Sequence, residues 1–64
     1  MKRVHANLLG TWVDITDDGL LDNRNPLTYI EEEIQDMFKY DYINISYHDK
    51  NYRIHPSFLQ VVIE

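Results

Sequence analysis

Residues Tyr42-Ile43-Asn44-Ile45-Ser46-Tyr47-His48-Asp49-Lys50-Asn51-Tyr52-Arg53-Ile54-His55 read as a chain that doubles back on itself. Ile43, Ile45 and Tyr47 alternate with polar residues, and after the polar break the alternation returns as Tyr52 and Ile54. Folding at Asp49-Lys50 sets Tyr47 opposite Tyr52 and Ile45 opposite Ile54, with Ser46 facing Arg53 and Asn44 facing His55. Both arms then keep their apolar side chains on one face, as a half-buried antiparallel hairpin requires.

The flanking segments have to cover that face. Upstream, Arg3 to Thr16 reads as strand, with Val4, Ala6 and Leu8 in one phase and Val13 and Ile15 in the opposite phase beyond Gly10. Such a phase change predicts either a bulge or bend, or two short strands meeting at Gly10. Trp12 is out of phase with Val13 and Ile15, so it either caps the core or stays partly exposed. Asp17-Asp18-Gly19 signals a turn in which Gly19 can take positive φ, and the polar stretch to Asn25 reads as loop.

Leu27, Ile30, Ile34, Met37 and Phe38 recur at helical spacing against Glu31, Glu32, Glu33, Gln35 and Asp36. Asn25 with Pro26 at the first helical position is the preferred start, ahead of Thr28 with Glu31. The helix should end near Lys39, whose charge suits the negative end of the dipole. His55-Pro56-Ser57 makes a turn, and Phe58 to Ile63 is a last strand with apolar residues on both faces. Such a strand is covered twice or buried against a second copy. The expected fold is α+β over residues 1–64 as one domain. One amphipathic helix packs on an antiparallel sheet of 3–4 strands in the order β-α-β-β-β, with an SH3-like half-open barrel as the competing architecture.

Composition narrows the function. A chain of 64 residues buries only about 60% of its unfolded surface, so its core is marginal. Without cysteine, no disulfide or thiolate metal cage supplements that core. The formal charge of −5 argues against direct nucleic-acid binding and leaves a basic partner as the electrostatic match. No apolar run is long enough for a signal peptide core or a membrane span, and a cytoplasmic location is expected.

The sharpest local motif is Asp14-x-Thr16-x-Asp18-Gly19-x-Leu21-Asp22-x-x-Asn25. It resembles the EF-hand calcium loop, in which oxygen ligands recur at alternate positions around a sharp glycine turn. Asp14, Thr16, Asp18 and Asp22 are the candidate cation ligands. Asn25 stands where that loop has a bidentate Glu, and a strand rather than a helix precedes it, so an acidic turn is the competing reading. His5, His48 and His55 show no metal spacing. No nucleophile elbow or phosphate-cradling loop is present, and neither Ser46 nor Ser57 has a base partner that the sequence identifies. Neither an enzyme nor a cofactor is expected.

Two surfaces remain. The carboxylates of Glu31, Glu32 and Asp36, with those of the loop before them, form an acidic face suited to a basic groove on another protein. Tyr42 and Arg53, on the outer hairpin face near Tyr40, are residue types enriched at interfaces. The expected function is therefore a small acidic protein-binding module, an interaction or inhibitor protein without catalytic activity. A composition rich in Ile, Asn, Tyr and Asp associates it with phage or mobile-element accessory proteins. The alternatives are a self-associating homodimer through the C-terminal strand and a weak calcium-binding loop.

Overall fold

Three tight reversals set the architecture of the computed structural model, which describes residues 1–64 throughout. At each, two successive residues take positive φ: Leu9 (55°) and Gly10 (89°), Asp22 (51°) and Asn23 (64°), His48 (49°) and Asp49 (64°). That is the signature of the two-residue I′ turn, whose twist matches that of the strands it joins. Leu9-Gly10 joins β1 (Lys2–Leu8) to β2 (Thr11–Asp14), with Leu8 paired to Thr11. The phase change at Gly10 is thus a change of strand. His48-Asp49 joins β4 (Ile43–Tyr47) to β5 (Lys50–Ile54).

The hairpin is real, but its register differs from the expected one by two residues. Tyr47 faces Lys50, Ile45 faces Tyr52, and Ile43 faces Ile54. The strands close on a two-residue turn rather than a four-residue polar break. An even slip keeps every side chain on its own face, so Ile43 and Ile45 stay buried.

Asp22-Asn23 closes a small loop in which Leu21 and Arg24 exchange both backbone bonds at 2.9 Å. This converts part of the expected loop into a short strand, β3 (Gly19–Leu21), paired with β4. Gly19 itself does not need positive φ. A Cβ there would lie 2.8 Å from the Ile15 Cβ, so glycine permits close approach of the backbone to Ile15.

The helix α1 (Pro26–Glu33) starts as expected. The Asn25 side-chain oxygen accepts from Leu27 N (3.0 Å) and Thr28 N (3.4 Å), with Pro26 leading the first turn. It ends well before Lys39. Glu31, Glu32 and Glu33 crowd its last turn, where carboxylates oppose the dipole, and no basic residue lies there. The chain tightens through Asp36 N to the Glu33 carbonyl and enters a 3₁₀ turn at Met37–Lys39. Met37 is thereby buried while Ile34 and Phe38 face outward.

After β5, a 3₁₀ turn at Pro56–Phe58 leads to β6 (Leu59–Ile63), which pairs with β1. The fold class is α+β, with one helix as expected. There are two three-stranded antiparallel sheets rather than one sheet, ordered β2-β1-β6 and β3-β4-β5. Val4, Ala6 and Leu8 from the first, Leu21, Ile43 and Ile45 from the second, and Tyr29 and Ile30 from the helix meet in one core. No helix is long and apolar enough to cross a membrane.

Candidate interaction surface

Most of the carboxylates that define the acidic face do not stand free. Arg24, carried into place by the Asp22-Asn23 turn, reaches Asp22 (3.5 Å), Glu32 (3.5 Å) and Glu33 (3.4 Å). Lys39 meets Asp36 at 3.4 Å across one 3₁₀ turn. Arg3 binds Asp14 (2.9 Å) and Asp17 (3.0 Å), and His48 lies 3.8 Å from Asp18. Of Glu31, Glu32 and Asp36, only Glu31 is in no ion pair. Because α1 stops at Glu33, Asp36 also leaves the helical face that the sequence gives it. The more exposed of these pairs, those of Lys39 with Asp36 and His48 with Asp18, contribute little to stability, but the whole set dilutes the field a basic partner would meet.

Asp14 is committed to the fold. Its Oδ1 accepts from the Thr16 N–H (3.0 Å) and the Thr16 hydroxyl (2.7 Å), while its Oδ2 accepts from Arg3 Nε (2.9 Å). The Thr16 hydroxyl in turn accepts from the Val4 N–H at 2.7 Å. These bonds, the Thr16 hydroxyl first, hold the Asp14 carboxyl well below the usual carboxylate range. Thr16 is buried, Asp18 is exposed at the turn, and Asp22 lies with Arg24. No three His, Cys, Asp or Glu side chains converge on a point that could hold an ion.

The structure does unite Tyr42 and Arg53. The guanidinium sits 4.4 Å from the ring centroid, a cation–π pair between β5 and the residue that leads into β4. Ser57 has a neighbour the sequence reading did not find, since its hydroxyl lies 2.9 Å from His55 Nδ1. The same nitrogen accepts the Ser57 backbone N–H at 3.1 Å, so the imidazole caps the 3₁₀ turn at Pro56. Both side chains are exposed, and no third group orients the ring.

The concave apolar feature lies elsewhere. Ile30, Ile34, Met37 and Phe38 form one wall, and Leu59 and Val61 of β6 the other, of an open groove of about 320 Å³. Ile34 and Phe38 are 57% and 62% exposed beside it. A larger depression of about 570 Å³ between the His48-Asp49 turn and Asp18 is wide and mostly polar-lined. Apolar lining is what favours docking, so the smaller groove is the better site. Sequence reasoning assigned Ile34 and Phe38 to the core stripe. The cue against that was the run of three glutamates ahead of Ile34, which shortens the helix and turns both side chains out.

No protein-family model matches this chain, and no curated protein or solved structure matches it.

Proposed function

We propose that this chain is a small acidic protein-binding module without catalytic activity, and that it docks through the groove between β6 and the segment from Ile30 of α1 to Phe38 of the following 3₁₀ turn. The observation that carries this is the exposure of Ile34 and Phe38 around an apolar depression. Placing large apolar groups in water is unfavourable, and a clustered set marks a contact site. Glu31, the unpaired carboxylate one turn before Ile34, adds a charge at the rim that suits a basic residue on the partner. A cytoplasmic accessory role, of the kind found in phages and mobile elements, fits a small acidic protein of this composition.

The test is affinity capture with mass spectrometry on the wild type and on two variants. The double change Ile34→Asp with Phe38→Ser should lose the captured protein. Charge reversal at Glu31, Glu32 and Asp36 should weaken capture only modestly. Loss on charge reversal with retention in the groove variant would transfer the contact to the acidic face.

A further inference from the structure

Four strands form sheet edges: β2, β3, β5 and β6. Natural edge strands are guarded by charge, proline, bulges or cover, because a bare ladder recruits another strand. β2 carries Asp14, and β5 carries Lys50 and Arg53. The outer side of β3 is met by Arg24 through the Asp22-Asn23 turn. β6, Leu59-Gln60-Val61-Val62-Ile63, has neither charge nor proline, and its inner side chains line the groove.

The phase of its free hydrogen-bonding groups follows from the ladder to β1. Met1 and Glu64 exchange both bonds, each at 2.8 Å. Bonded pairs alternate along an antiparallel ladder. With Arg3 facing Val62 and His5 facing Gln60, those two β6 residues turn their peptide groups to β1. Leu59, Val61 and Ile63 turn theirs to the open edge. The Leu59 N–H is already taken by the Pro56 carbonyl. The remaining open groups are the Leu59 carbonyl and both groups of Val61 and Ile63.

We infer that β6 pairs with β6 of a second copy, antiparallel, about a two-fold axis at Val61. This rests on the groove being a contact surface, and it names the occupant. The two Val61 residues exchange both backbone bonds, and each Ile63 N–H reaches the Leu59 carbonyl of the other copy. The two sheets β2-β1-β6 become one continuous sheet with both helices on the same side. Leu59, Val61 and Ile63 share the inner face, so each copy brings its Ile63, 75% exposed alone, beside the other's Leu59 at the groove wall. An isologous contact needs this self-complementarity, and β6 has it because its open groups and its apolar side chains repeat symmetrically about Val61.

The apolar area fits this occupant, and charge does not forbid it. At their exposures, Ile34, Phe38, Phe58, Val61, Val62 and Ile63 present on the order of 600 Å² per copy, against roughly 800 Å² per partner in a standard interface. Two copies of charge −5 repel, but the joined strands bring no charge together, and more distant charges are screened beyond about 8 Å at physiological ionic strength.

Sedimentation equilibrium on the full chain should give twice the monomer mass at submillimolar concentration. Val61→Pro removes an N–H that makes no bond to β1, so circular dichroism should keep its folded form while association weakens by about tenfold or more. Amide exchange on the wild type is independent of that variant's folding. The Val61 and Ile63 amides should be protected at high concentration and exchange about tenfold or more faster on dilution. A single-chain mass at submillimolar concentration overturns the pairing, as does a dimer unchanged in folded Val61→Pro, or a Val61 amide that exchanges freely at every concentration. A monomer that still captures a partner through Ile34 and Phe38 overturns self-pairing alone. Capture indifferent to Ile34 and Phe38 overturns the groove reading beneath it.

Discussion

At the scale of single residues, two of the side chains most suggestive of ion binding, Asp14 and Thr16, serve the backbone. Asp14, Thr16 and Asp18 alternate as cation ligands would, but Thr16 closes the gap between the end of β2 and Val4, and Asp14 orients its hydroxyl. Thr16→Val keeps the shape and leaves the buried Val4 N–H without its acceptor. We expect a loss of about 1–3 kcal/mol, read by urea denaturation. Asp14 supplies a pH dependence of known sign. Its folded pKa lies below its unfolded value, so the stabilisation is present above that unfolded value, near pH 4, and is lost as the pH falls below it. Asp14→Asn should flatten the stability profile below about pH 4, and an unchanged profile would assign acid sensitivity to other carboxylates. Tyr29 acts at the other end. Burial first, and the nearby Glu33 charge second, push its hydroxyl up to about 12. Stability from this group is present below the ordinary tyrosine value near 10 and falls as the pH rises towards about 12. Its ultraviolet titration should lag behind that of exposed tyrosines. The buried tyrosine was missed because its position lies beside the aliphatic stripe, where a strict helical repeat places no core residue.

At the scale of elements, turn chemistry explains both the successes and the errors of the sequence reading. Period-two alternation found the hairpin faces correctly, but the tight reversal at His48-Asp49 lacks the Asn-Gly or Asp-Gly pair that usually marks it. Asp22-Asn23 was likewise hidden within a polar stretch. Leu9 is the least suited of these turn residues, with φ of 55° and its side chain in water. Leu9→Asn should raise stability by about 1 kcal/mol, since asparagine tolerates the left-handed region that a leucine resists. Thermal melting would show this, and a lowered melting temperature would mean that Leu9 makes a contact in solution. The shortened helix makes a second contrast. Ile30→Ala should cost about 2–5 kcal/mol, whereas Phe38→Ser should stay within about 0.5 kcal/mol. Equal costs would place Phe38 in the core and remove it from the groove wall.

At the scale of the whole molecule, the first and last strands close the fold. β6 returns to pair with β1 from Lys2 opposite Ile63 to Ala6 opposite Leu59. Truncation after Phe58 would leave β1 and β2 as an isolated hairpin, which water does not support, and would open the core at Leu59. Such a chain should lose its dispersed amide NMR spectrum, and a truncated chain that stays folded would show that the second sheet and helix suffice alone. By itself, the sequence determined which side chains are apolar in alternation, where the helix begins, and that the chain mixes one helix with antiparallel strands. These follow from local periodicity and from the chemistry of Asn25 and Pro26. Only the tertiary structure decided that there are two sheets, that β1 joins β6, that Arg24 and Arg3 neutralise much of the acidic set, and that Ile34 and Phe38 line a groove. The sheets and the groove depend on pairing between segments far apart in the chain, and the ion pairs on how turns swing Arg24 and Arg3 back, for neither of which apolar spacing carries a signal. Where the helix stops is also a balance, between dipole repulsion in its last turn and burial of Met37, that an apolar repeat alone does not register.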